Sequence, residues 1–554
     1  MNMLTQNIVP QVSNANIIGS WSKDGAQTAV QPSLYEALHH IKWPLYLTAD
    51  KDRAAIYTSG VAQLGQQADI NTTSKLLGYV PPLTLSSAGD HNFLSSHRLR
   101  YPIVAGSMAK GISSAQMVVA MGQAGMLGFL GAAGQTLETV QQQLDIIKQA
   151  LPDGPYGVNL IHSPQEVALE EALVDLYIAN DIKLIEASAF LTLSPAVVRY
   201  RLHGIHRDSS GNIVTPNKII AKISREEVAQ HFLSPAPAKI LKVLLDQGVI
   251  TPEQATLAEQ VPMAEDITAE ADSGGHTDNR PALSLFPTIC SLRDRLHQQY
   301  NYAVKPRIGL AGGISTPQAA AAAFAMGAAY LVTGSVNQAC IESGTSDVVR
   351  QMLAETRQAD VAMAPAADMF EMGVDVQVLK RGTMFSMRAK KLYEIYRQYS
   401  SIDDIPALER QKIEQNFFRE PLVKVWEDTR NYFLQRDPKQ VERADRDPKH
   451  LMALVFRAYL GQATYWANAG DNSRKMDFQV WCGPAMGAFN EWAHGSFLET
   501  PQQRSVVSVN LNILFNALVL TRINMLRQQG GDISIDKNFL NPLTIEQIKE
   551  YLRD

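Results

Sequence analysis

From residue 101 onward, short apolar runs rich in branched residues alternate with longer stretches in which apolar and polar positions follow helical spacing. Eight such runs can be picked out, at 101–105, 126–130, 156–161, 183–187, 219–223, 267–271, 307–311 and 329–333. Runs this uniformly apolar predict strands covered on both faces. The amphipathic stretches between them, for example 115–123, 137–150, 164–180 and 317–326, predict the crossover helices that parallel strands require. Eight βα units predict an α/β fold of the TIM (β/α)8 barrel type. An open dinucleotide-binding sheet would carry G-x-G-x-x-G after its first strand, and that spacing is missing.

The flanks have a different texture. Residues 1–95 read as an N-terminal extension, with a short strand at 43–47 and a loop at 86–90. Two connections inside the barrel run long, 189–218 with a turn at 208–212, and 225–261 with two short helices. One or both are expected to cover the barrel mouth. Beyond about residue 390 the pattern is helical, at 390–399, 407–417, 421–435 and 448–467, followed by a turn at Trp481-Cys482-Gly483-Pro484 and a short helix through Trp492. The expected organisation is 1–95 extension, 96–390 barrel with mouth insertions, and 391–554 helical domain packed on the barrel.

Composition narrows the function classes. The chain has 554 residues, 45% of them hydrophobic, with a net charge of −5 and a pI of 6.2, which argues against nucleic acid or a charged membrane surface as partner. Cys290, Cys340 and Cys482 are far apart, so neither a disulfide framework nor a zinc cluster is expected, and HExxH is absent. No metal site is expected. Residues 1–6 lack the basic start of a secretory leader, and no run of about 18 apolar residues predicts a membrane span. The apolar stretch 506–520 is interrupted by Asn510, Asn512 and Asn516 and reads as a buried helix. A reduced cytoplasm is the expected location.

Chemistry in a (β/α)8 barrel sits on the loops after the strands. The first strand ends in Ala105-Gly106-Ser107-Met108-Ala109, where small residues around Met108 leave room for a flat ligand or for a tight turn. In the third, Asn159 offers an amide to a heterocycle or forms a local turn. In the fifth, Lys222 either meets negative charge at the mouth or pairs with Glu186 or Glu270, since a bare buried ammonium is costly. Gly312-Gly313 after the seventh strand and Gly334-Ser335 after the eighth suit a phosphate-bearing ligand. After the sixth comes Asp272-Ser273-Gly274-Gly275-His276-Thr277-Asp278-Asn279-Arg280, in which two glycines flank the approach to His276, a candidate acid–base. Finally, 363–373 and 377–385 gather methionines and aromatics into an adaptable apolar surface, for core packing or for lining an acyl chain or flavin ring.

Together these residues resemble the FMN-dependent nitronate monooxygenase (2-nitropropane dioxygenase-like) barrels, a superfamily that includes bacterial flavin enoyl reductases. The longer motifs at 270–281, 364–373 and 378–385 resemble the PfaD family, trans-acting enoyl reductases of polyunsaturated fatty acid synthases and related polyketide synthases. The resemblance implies FMN at the mouth, with its phosphate on Gly312, Gly313, Gly334 and Ser335, and with Met108, Asn159 and Lys222 approaching the isoalloxazine. Gly106, Asp272, Gly274 and Gly275 complete that cofactor-binding set. It further implies NADPH as reductant, an enoyl thioester on an acyl carrier protein as substrate, carrier domains of a synthase as partners, and His276 as the catalytic group that polarises the thioester or supplies a proton. A homodimer is left open. Two alternatives stand beside this reading: a nitronate monooxygenase-like flavin oxidase, and a non-catalytic flavin-barrel docking subunit of a synthase.

Overall fold

Eight parallel strands close on themselves in a computed structural model of the chain. They are β1 (Ile103–Ala105), β2 (Leu127–Leu130), β3 (Gly157–Ile161), β4 (Leu184–Ser188), β5 (Lys218–Ile223), β6 (Asp266–Glu270), β7 (Arg307–Ala311) and β8 (Leu331–Thr333). Each pairs in parallel with its sequence neighbour, and β8 returns to β1. All eight apolar runs of the sequence are these strands. The structure describes residues 17–23, 32–50, 53–65, 74–164, 166–531 and 533–553; the leader reading at residues 1–6 lies outside them.

One end of the barrel is plugged. Helix His91–His97, capped by Asp90 accepting from the Phe93 N–H, lies across the strand starts. Phe93 stacks on Tyr330 at 4.1 Å between ring centroids. His97 Nε2 meets Asp266 Oδ2 at 2.8 Å, and the Arg307 guanidinium donates to the same carboxylate at 2.6 and 2.9 Å. Burial alone would raise the Asp266 carboxyl, but Arg307 and His97 outweigh it and hold it low. With this end filled, chemistry belongs at the opposite, carboxyl end of the strands.

The two long connections do not cover the mouth, which corrects the expectation above. The hairpin His206–Arg207 with Ile213–Val214 comes before β5. Helices Glu226–Leu233, Ala238–Asp246 and Pro252–Ala258 fill the path to β6. Arg207 reaches Gln260, and Thr215 reaches Glu265, the residue just ahead of β6. A segment that follows a barrel helix and precedes a strand emerges at the strand's amino end, the plugged side.

The mouth is covered instead by residues that follow β8. Val361–Pro365 and Asp375–Leu379 form an antiparallel pair. Gly275–His276 joins it as a third strand, with Gly275 opposite Gln377 and His276 opposite Val376. Behind this strap stands a helical insertion, comprising Phe385–Gln398, Ala407–Ile413, Leu422–Arg436, Pro438–Ala444 and Pro448–Ala469. It has its own apolar core, with Phe370, Phe385, Ile395, Phe456 and Tyr459 buried together.

Helix Val506–Gln528 is built differently from that insertion. It packs against Pro317–Ala325 and Ala115–Gln123, the position that the helix after β8 holds in such a barrel. Of the described helices, this one is long and apolar enough to cross a membrane, yet most of it is buried in the protein. The asparagines that interrupt its apolar run are fully buried. Asn510 accepts from Thr333 Oγ1 at the end of β8, and Asn512 exchanges two hydrogen bonds with the Leu543 backbone. At its far end Arg522 donates to the carbonyls of Ala37, Ile41 and Trp43. The helix thereby holds the N-terminal layer, where Arg53–Tyr57, Leu45–Asp50, Ser74–Val80, Gly19–Ser22 and Val61–Leu64 form an antiparallel sheet in that order.

Candidate active site

The loop after β6 is held in shape largely by its own polar residues. Asp272 Oδ1 accepts from Asn279 Nδ2 at 2.7 Å and from Gln377 Nε2 at 2.8 Å, and Gln377 also donates to the Ser273 carbonyl. A Cβ on Gly274 would lie 2.9 Å from the Cys482 and Gly483 backbone, so this glycine permits one chain to pass against another. Gly275 has φ +79°, a left-handed conformation that favours glycine, and it lies beside the Trp481 side chain. Asp272, Gly274 and Gly275 thus shape the loop.

This shaping presents His276 to the mouth. Its Nε2 lies 3.1 Å from Asp368 Oδ1, on the strap. The side chains are 36% and 50% exposed, so the pair stands open in the mouth, and its coupling is worth at most about 1 kcal/mol. Partial desolvation by the walls of the cleft works against the imidazolium. The hydrogen bond and charge of Asp368, helped by Glu270, outweigh it and raise the His276 pKa above its ordinary value.

Below the mouth lies a charged trio. Lys222 Nζ is 3.7 Å from Glu186 Oε2 and 3.6 Å from Glu270 Oε1. Burial disfavours the ammonium, but the two carboxylates overcome this and raise its pKa. The Glu270 carboxyl is raised by burial, with Lys222 opposing and Glu186 adding to the rise. Glu186 accepts from the Ser107 hydroxyl and, at 3.1 Å, from the Ser107 N–H. Its other oxygen, Oε1, is buried with no partner among the described residues. Lys222 is therefore the paired lysine of the two readings, tied to both acids rather than to one.

Asn159 is buried, and its amide nitrogen donates to the Glu186 carbonyl at 3.1 Å and to Ser188 Oγ at 2.8 Å. It has only its oxygen left to offer a ligand. Gly106 is pressed against β8, where a Cβ would fall 2.7 Å from Val332 Cγ1. Met108, half-buried, has its N–H bound to Ser113 Oγ.

The glycines after β7 and β8 are different. Gly313 has φ +76° and lies exposed, and a Cβ on it or on Gly334 would meet no atom within 4 Å. Their N–H groups donate to nothing among the described residues. Gly312 is constrained, with a Cβ landing 2.5 Å from the Ala271 carbonyl carbon. Ser335 Oγ accepts from the Gly483 N–H at 3.2 Å. Uncommitted amides beside open space at two adjacent strand ends suit a phosphate group.

Sequence reasoning passed over Asp368, Gln377, Trp481 and Lys110. Lys110 lies in the loop after β1. Its ammonium donates to the Gly461 carbonyl at 2.8 Å and lies 4.4 Å from the centroid of the Tyr465 ring. Burial lowers its pKa to about 8, against the opposing charge of Asp368. No local motif marks these four; Asp368, Gln377 and Trp481 reach the loop after β6 through chain returning from far downstream, and Lys110 faces the Trp481 ring from the loop after β1.

Comparison with known proteins places the whole arrangement. The nitronate monooxygenase family profile matches residues 92–395, more than half of the chain. The chain belongs to the nitronate monooxygenase family. Within that family it is a PfaD-like member, as two sets of relatives show. It is 47% identical over 509 residues to a polyunsaturated fatty acid synthase polypeptide of Thraustochytrium sp., a match that covers 91% of this chain but 33% of that protein. It is 43% identical over 444 residues to the polyketide biosynthesis protein PksE of Bacillus subtilis, covering 80% of this chain and 58% of PksE. The crystal structure of the enoyl reductase domain of MlnA, from the macrolactin cluster of Bacillus amyloliquefaciens, superposes with a TM-score of 0.76 at 39% identity. That match covers 80% of this family member and 100% of the MlnA chain. Residues 399–478, most of the helical insertion, match the inserted helical domain of [acyl-carrier-protein] S-malonyltransferase.

Proposed function

We propose that the protein is an FMN-dependent enoyl reductase. In this reading it reduces trans-2-enoyl thioesters on an acyl carrier protein with NADPH, acting in trans in polyunsaturated fatty acid or polyketide assembly in the cytoplasm. The observation that carries this reading is the likeness to the MlnA enoyl reductase domain along that domain's whole length.

The residues at the mouth fit FMN. Gly313 and Gly334, with their uncommitted amides and open surroundings, would hold the phosphate together with Gly312 and Ser335. Gly106, Met108, Asn159 and Lys222 would border the ring. When bound, FMN supplies hydride transfer between the two substrates. The chain's own part is to exclude water, orient the thioester and manage one proton. Asp368 occupies Nε2 of His276, so the Nδ1–H of the imidazolium is the donor left for a thioester carbonyl or for the α-carbon. The Lys222 ammonium is balanced by Glu186 and Glu270, so it can border the ring as a donor without standing as an isolated buried charge.

The test is an anaerobic visible spectrum of the purified protein. Flavin bands that bleach with NADPH and return on adding a crotonyl thioester support the proposal. Bands that stay bleached with the crotonyl thioester and return only on admitting air, in a protein that turns over a nitronate aerobically without NADPH, would overturn it in favour of an oxidase.

A further inference from the structure

One side of the mouth is walled by the insertion helix Pro448–Ala469. Four of its residues, each about one turn from the next, face the barrel side. Arg457 Nε donates to the Ala367 carbonyl at 2.8 Å, the Tyr465 hydroxyl to the Gly134 carbonyl at 3.3 Å, and Asn468 Oδ1 accepts from Thr345 Oγ1 at 3.3 Å. Gly461, in the middle of this stripe, is the exception. A Cβ built there meets no atom within 4 Å outside its own helix.

Glycine is the poorest helix former after proline. Its use in a helix interior is ordinarily explained by left-handed backbone or by a close neighbour. Gly461 has neither at its side-chain position, because its φ is not positive and a Cβ there would meet no atom within 4 Å. What the missing side chain leaves is space. Lys110 Nζ, on the Gly461 carbonyl, borders that space. The Trp481 ring centroid is 6.0 Å from the same ammonium, and Trp481 lies against Gly275, next to His276.

We infer that this gap is the slot through which the thioester arm of the substrate reaches His276, and that Gly461 sets its width. The inference rests on the enoyl thioester reading above. The lining suits an uncharged, extended chain bearing amide groups, as in a pantetheine arm. The Lys110 ammonium can donate to an amide carbonyl, and the Tyr465 and Trp481 rings offer flat apolar faces to methylenes. The wall also belongs to the segment that matches a helical domain from a transferase named for acyl carrier protein.

The test uses flavin-loaded full-length protein carrying Gly461→Met, a substitution that fills the gap with a good helix former. Three quantities are read: affinity for unreactive butyryl-pantetheine by calorimetry, kcat/KM for crotonyl-pantetheine, and the rate of flavin bleaching by NADPH. Affinity and kcat/KM are expected to fall by about tenfold or more, with bleaching unchanged. Native-like binding and turnover in this variant overturn the inference. A parallel fall in bleaching also overturns it, by assigning the slot to the reductant. Should Gly461→Met not fold, Gly461→Ala decides. The melting temperature is expected to stay or rise, with affinity down about threefold, and unchanged affinity overturns the inference. Failure of the enoyl reductase reading looks different: native protein would not regain colour with crotonyl-pantetheine, while the butyryl-pantetheine titration still decides the slot.

Discussion

His276 and Asp368 are 92 residues apart in the chain yet share a hydrogen bond at the mouth. The histidine was legible because Gly-Gly-His after a sixth strand is a compact local signal. Its partner was not, because Asp368 sits among methionines in a segment that read as apolar surface. The pair has a pH consequence. The His276 pKa is raised above its ordinary 6.5, so a step needing the imidazolium persists above that pH and fails as pH rises through the folded value. Asp368→Asn removes the carboxylate, and the fall in kcat/KM for the enoyl thioester is expected at lower pH than in the native protein. His276→Ala is expected to lower turnover about 10²–10⁴-fold while the protein stays folded and loaded with flavin. A pH–rate profile and a flavin absorbance ratio check the two variants. Lys222 shows the opposite case of legibility: both its partners were named from sequence, but the simultaneous bond to Glu186 and Glu270 needed β4, β5 and β6 side by side.

Among the elements, the barrel strands were readable because burial on both faces leaves an unbroken apolar run. The strap strands Val361–Pro365 and Asp375–Leu379 were not. They are short, they contain Pro365 and exposed positions, and their third partner is a pair of residues, Gly275–His276, that no periodicity marks. The length of the long connections is legible in the sequence, but not their side of the barrel, because whether a loop precedes or follows a strand decides the end at which it emerges. Helix Val506–Gln528 was expected as a buried helix and is one; what its pattern withheld was the partner at its far end. Arg522 is fully buried, meets carbonyls rather than a carboxylate, and is pushed down to about 10 by burial. Arg522→Ala takes the donor from the Ala37 and Trp43 carbonyls, while Ile41 keeps the Leu83 N–H, and is expected to cost about 2–5 kcal/mol, read as a lower urea midpoint of tryptophan fluorescence.

For the molecule as a whole, the α/β barrel class followed from the count of units, and the closed eight-stranded ring bears it out. The helices after residue 390 were also legible, but not their division of labour. Residues 385–469 build the wall of the mouth, whereas 506–528 occupies the barrel's own ring of helices. Ending the chain at residue 505 should therefore damage the barrel itself. Such a truncation is expected to be insoluble or flavin-free, with protease-sensitive strands, whereas a detachable helical module would leave a folded, yellow barrel. Expression, absorbance and limited proteolysis distinguish the two outcomes.

The placement of that helix also governs how the polypeptide is made. Strand β8 ends at Thr333, and the helix that seals its outer side begins at Val506. A ribosome must add more than 170 residues between them, at about 5–20 residues per second. Throughout that interval the nascent barrel carries a bare apolar stripe between its first and seventh helices. A chain halted in that interval would expose the apolar surface that Val506–Gln528 covers in the finished protein.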